Sequence, residues 1–186
     1  MKILSLTKRL CSIVLLAACG LSSTVSAANF PYNYLEVRVP LSPGGLGGAY
    51  SQQFHENAHM IFEAESTFED DWHLGGGVGF NAPVNQFTDL TGQLKLLSIK
   101  NKESDTDEFD KKLGRFATEL NFTLHAWILP QLETGATLGV ITAEEDYNLF
   151  SVFARLHTSD AFSMGAEFKV SGIEDNQFVV SVRYPF

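Results

Sequence analysis

A chain of 186 residues holds about one domain's worth of sequence. Its formal charge of −9, from 22 acids against 13 bases, excludes the basic surface that nucleic acid rewards. Both cysteines, Cys11 and Cys19, fall in the opening segment, so no disulfide framework and no cysteine metal centre is expected beyond it.

Residues 1–28 read as a secretory signal peptide. Lys2, Lys8 and Arg9 give the positive start, residues 10–21 the apolar stretch, and residues 22–28 a small-residue exit. The apolar stretch is shorter than the roughly 20 residues of a spanning helix. Val25-Ser26-Ala27 supports a cut after Ala27 or Ala28. Leu16-Ala17-Ala18-Cys19 resembles a lipobox and offers a competing exit, with Cys19 as a lipidated first residue. Loss of Lys2, Lys8 and Arg9 moves the formal charge from −9 to −12 for the domain at 29–186.

Beyond residue 28 the repeating signal is period two rather than 3.6. Segments alternate at 32–40, 46–54, 59–67, 73–82, 88–99, 114–126, 132–142, 149–157, 161–170 and 177–186. In the second, Leu46, Gly48, Tyr50 and Phe54 oppose Gly47, Ala49, Ser51 and Gln53. The fourth contains Gly75-Gly76-Gly77-Val78-Gly79, which precedes no helix and so is no phosphate loop; small inward residues there make room for bulky partners. Further on, Leu90, Leu94 and Leu96 oppose Thr91, Gln93 and Lys95, and Phe116, Leu120, Phe122 and Leu124 oppose Arg115, Glu119, Asn121 and His125. Phe150, Val152, Ala154 and Leu156 share one face, as do Phe162, Met164, Ala166, Phe168 and Val170. Phe178, Val180, Val182, Tyr184 and Phe186 close the pattern.

A soluble β-sandwich also alternates, but two features favour an antiparallel up-and-down transmembrane β-barrel. The apolar faces run about 9–11 residues, the length of a tilted membrane strand. The polar faces carry charges in mid-strand, as a lumen does. Connections alternate too: short at 55–58, 83–87, 127–131 and 158–160, longer or acidic at 68–71, 101–113, 143–148 and 172–176. With both termini on the short-turn side the strand count must be even. That requires the weak segment 46–54 and gives ten strands, or eight if two weak segments are loops. Two aromatic girdles are expected, Phe54, Phe87, Trp127, Phe162, Tyr184 and Phe186 at one end, Phe68, Trp72, Phe116, Phe150 and Phe178 at the other.

On the opening Tyr32-Asn33-Tyr34-Leu35-Glu36-Val37, the strand–turn cadence and the closing Val182-Arg183-Tyr184-Pro185-Phe186, the chain resembles the small outer-membrane β-barrels of the outer-membrane-protein-A-like type, without a periplasmic domain. The resemblance implies a place in the outer membrane of a Gram-negative bacterium, among lipid and lipopolysaccharide. It also implies that Phe178, Val180, Val182, Tyr184 and Phe186 are read by the barrel-assembly machinery. Pro185 departs from the commoner aromatic, though the last residue of a strand tolerates proline.

Twelve mid-strand charges are expected to face the bore: Glu36, Glu63, Glu65, Glu119, Glu133 and Glu167 against Arg38, Lys95, Arg115, Arg155, Lys169 and Arg183. Six against six makes a paired filling rather than the single-sign constriction of a selective pore. His157-Thr158-Ser159 with Glu167 resembles the His-x-Ser pair of lipid A deacylases, but it lies at a short turn and has Asp160 where the usual Asn would stand. His55 and His59 need a helix to form a metal pair, and a turn is expected there. The long loops carry thirteen acids and four lysines, a rim suited to gathering divalent cations. No cofactor motif is found. The expected role is a structural or surface-interaction barrel rather than an enzyme, with a narrow channel for small solutes as the alternative and a lipid-modifying hydrolase far behind.

Overall fold

The computed structural model describes residues 29–42, 44–67, 71–100, 114–143, 146–173 and 176–186. Ten strands form: β1 (Tyr34–Ser42), β2 (Leu46–His55), β3 (Ala58–Ser66), β4 (Trp72–Asn85), β5 (Thr88–Lys100), β6 (Arg115–Leu129), β7 (Leu132–Thr142), β8 (Tyr147–His157), β9 (Ser163–Ser171) and β10 (Gln177–Pro185). Each strand pairs with the next in sequence, and β10 pairs antiparallel with β1, so the sheet closes on itself and leaves no edge. The fold is the expected all-β barrel of ten strands, not eight. The weak segment demanded by parity is a full strand, with β2 paired to both β1 and β3.

Closure rests on the register Leu35↔Tyr184, Glu36↔Arg183 and Val37↔Val182. Pro185 ends the ladder opposite Tyr34, and the Phe186 amide continues it by donating to the Asn33 carbonyl at 3.2 Å. The Phe186 ring stacks on Tyr50 at 5.6 Å.

Alternation turns the barrel inside out relative to a soluble protein. Leu35, Val37 and Val39 point outward on β1, as do Leu94 and Leu96 on β5, Phe116 and Phe122 on β6, and Phe178, Val182 and Tyr184 on β10. Leu96 and Phe116 are 70% and 68% exposed. Residues of the opposite parity, from Glu36 to Arg155, are buried although polar. An apolar belt on this scale needs something apolar around it. The exception lies inside the long-loop end, where Leu97, Ala117 and Ile141 form a small core with Ile99, Tyr147, Leu149 and Ile173 against it.

One aromatic departs from the expected girdle. Trp127 shares its parity with Glu119, Asn121 and His125, so it faces the bore; a bulge beyond it leaves Ile128 and Leu129 both outside. The leader, Phe68 and most of the acidic rim (residues 69–70, 101–113, 144–145 and 174–175) lie outside the described residues.

Candidate functional site

The bore is crossed at mid-height by a chain of ion pairs. Glu36 on β1 collects three guanidinium groups: Arg183 Nε at 2.6 Å, Arg155 Nη2 at 3.1 Å and Arg38 Nε at 3.1 Å. Arg38 continues to Glu63 on β3 at 3.7 Å. Lys95 on β5 then bridges Glu63 at 2.7 Å and Glu119 on β6 at 2.8 Å. Seven charges from β1, β3, β5, β6, β8 and β10 are thereby joined, and the Arg183 guanidinium also lies 3.7 Å over the Tyr34 ring. Charges so buried persist only when paired and hydrogen-bonded, and here each carboxylate meets two or more cations or donors.

The other expected lumen charges fall in separate places. Glu65 takes Lys169 at 3.6 Å and the Gln177 side-chain amide at 3.2 Å. Glu65 and Glu167 both line a cavity within the bore. Arg115 opens β6 at the long-loop end, in register with Ile99. Glu133 stands apart at the short-turn end, where its two oxygens each meet a histidine, His125 Nδ1 and His157 Nε2, at 2.8 Å.

That end is closed by the segment preceding β1, which the alternation alone did not mark out. Phe30 and Tyr32 are buried. Phe30 stacks on Trp127 at 5.1 Å with the rings 3° from parallel, and Trp127 lies 4.6 Å from the His157 ring. Tyr32 stacks on His59 at 5.0 Å, and its carbonyl accepts from the Ser51 hydroxyl at 2.6 Å. The Tyr32 hydroxyl reaches Thr91 at 3.1 Å and donates to Asp89 at 3.2 Å. Asn29 donates from its side chain to Asp89 at 2.6 Å and to the Asn85 carbonyl at 2.7 Å, while its carbonyl accepts from Trp127 Nε1 at 3.3 Å. Asp89 is not among the twelve charges expected in the bore. Its parity with Thr91, Gln93 and Lys95 was the available signal, and it makes the bore one acid richer than six against six.

Above this plug the bore keeps a cavity of about 210 Å³, lined by Arg38, Glu63, Lys95, Glu119, Arg155 and Glu167 among others. The glycines of β4 make room for bulky inward partners, as expected. A Cβ on Gly79 would sit 2.3 Å from His59 Nε2, and one on Gly75 would meet Leu97 at 2.9 Å and Glu63 at 3.0 Å.

Two chemical arrangements can be read against this geometry. Glu63, His73 and Glu119 bring donor atoms within 4.8 Å of one another, the only such trio among the described residues. The Lys95 ammonium already bonds both carboxylates, so it supplies the positive charge that a metal ion would bring. The His157–Ser159 pair is not assembled. His157 is held by Glu133, while the Ser159 hydroxyl accepts from the Ala161 and Phe162 amides at 3.2 and 3.3 Å. His55 is exposed and His59 buried, so they do not converge.

No family model matches the chain, and no curated protein sequence matches it. Solved structures do. One, described as KdgM porin in complex with disordered oligogalacturonate, superposes with a TM-score of 0.57 at 8% identity, covering 82% of this chain and 99% of that one. Another, KdgM porin, gives 0.54 at 10% identity with the same coverage. These likenesses show the fold: a small porin-type β-barrel. They support the coarser part of the resemblance read from the sequence and not its outer-membrane-protein-A-like refinement.

Proposed function

We propose that this chain is an integral outer-membrane β-barrel with a closed bore, serving a structural or surface-interaction role. The observation that carries the reading is the double obstruction of the lumen, by the aromatic plug at one end and the ion-pair chain at mid-height. A barrel of about eight strands has room for side chains or one small ligand, and ten strands add little. The outward apolar belt supports a bilayer as the surroundings, with outer-membrane lipid and lipopolysaccharide as neighbours. In this reading the termini face the periplasm, the acidic loops face outward and gather divalent cations, and the β10 pattern ending at Phe186 serves the assembly machinery.

Liposome swelling tests the closed bore. Proteoliposomes holding the purified, folded protein should swell in small sugars no faster than empty vesicles. Swelling that rises with protein content contradicts the reading. The alternative, a narrow channel for small solutes, is favoured by the porin fold and the charged cavity above the plug. It predicts swelling that falls with solute size.

A further inference from the structure

Among the described residues the fully buried carboxylate in the plug meets no cation. Asp89 is 0% exposed, and three donors serve it: the Asn29 backbone nitrogen at 3.3 Å, the Asn29 side-chain amide at 2.6 Å and the Tyr32 hydroxyl at 3.2 Å. No lysine, arginine or histidine among the described residues forms an ion pair with it. A buried carboxylate without a counter-charge is costly. The charge tally shows the same gap, since the twelve mid-strand charges balance and Asp89 stands in excess.

Asn29 directly follows the small-residue exit of the expected leader, residues 22–28. We propose that the leader is cut between Ala28 and Asn29, and that the α-ammonium released on Asn29 pairs with buried Asp89 and latches the plug. Hydrolysis adds the oxygen of water to the Ala28 carbonyl carbon and breaks its bond to the Asn29 nitrogen. Ala28 leaves as a carboxylate, and the freed amine on Asn29 takes up a proton, as α-amines largely do at neutral pH. The nitrogen that already points at Asp89 thus changes from a neutral amide with one hydrogen to a cation with three. Charge-assisted bonds of this kind are roughly twice as strong as neutral ones. A cut after Ala27 keeps that nitrogen an amide and puts the charge one residue away, about 3.8 Å of chain. The latch therefore chooses between the two cuts that the sequence left open, and it forms only on processing. It rests on the plug geometry and holds whether or not the bore conducts.

The chain is expressed with its own leader, purified folded from membranes, and its first residue read by intact mass and N-terminal sequencing. The expected first residue is Asn29. A start at Ala28, a lipidated start at Cys19 or a retained leader overturns the proposal. The α-amine is then acylated near neutral pH and quantified in the N-terminal peptide. Labelling of folded protein should be at least about tenfold slower than of urea-unfolded protein, and about tenfold slower than of folded Asp89→Asn. Equal rates in folded and unfolded wild type overturn the ion pair even if Asp89→Asn does not fold. If it does fold, equal rates in folded wild type and Asp89→Asn do so as well.

Discussion

At Glu36 three arginines converge from β1, β8 and β10, all largely buried. Removing the one negative charge leaves three guanidinium groups facing each other, and breaking a buried pair from one side costs about 3–5 kcal/mol. Glu36→Gln should therefore lower the unfolding free energy of the barrel in detergent, read from urea titration, by that order, and a value within error of wild type would show the network to be dispensable. The glycine at 79 makes a different prediction. Gly79→Val drives a side chain into the His59 ring, so it should destabilise the barrel by roughly 1–3 kcal/mol. In a double-mutant cycle His59→Ala should recover much of that loss; additive losses would mean that the two do not compete for space. At this scale the sequence was most readable where parity met charge. All seven residues of the central network stand among those that alternation turned inward. Asp89 is not marked out by the sequence because it is the second residue of β5, next to a short turn, where an acid is ordinarily solvated. Phe30 and Tyr32 were missed as a plug because their role depends on Trp127 and His59, about 100 and 30 positions away.

Among the elements, β2 shows what a topological rule adds to local propensity. Its run of Leu46, Gly47, Gly48 and Ala49 has little β character, yet it pairs with Glu65 and Glu36 across both ladders because closure demands an even count. Strands β4 and β6 each run three residues beyond their expected ends at 82 and 126, since turns as tight as Gln86-Phe87 and Pro130-Gln131 let the ladder run almost to the hairpin. The outward faces are legible except at Trp127; the inward apolar cluster of Leu97, Ala117 and Ile141 is not, because apolar residues at those positions look the same from either face. Outward placement at mid-strand has a testable energy. Leu94 is 50% exposed on the belt while neighbouring Gln93 turns into the bore. Leu94→Arg should cost about 2–4 kcal/mol when unfolding is measured from lipid bilayers, and little when measured from a detergent that hydrates the belt. Equal small costs in both would place Leu94 away from the hydrocarbon.

For the whole molecule, ten strands, a chain of paired charges at mid-bore and a plug built from residues 29–32 support the proposed closed bore. The plug has two supports of different kinds, stacking of Phe30 on Trp127 and hydrogen bonding of Asn29 and Tyr32 to Asp89. Residues 29–32 lie outside the strands and are held by stacking and by hydrogen bonds to strand side chains, so the plug can be loosened by substitution without breaking a ladder. Single-channel recording in planar bilayers tests this most directly. The wild-type barrel should give no steady conductance steps, while the Phe30→Ala, Tyr32→Ala and Trp127→Ala triple variant should give brief small openings. Steady, uniform openings from the wild type, unchanged in the triple variant, would contradict a closed bore and establish the channel instead.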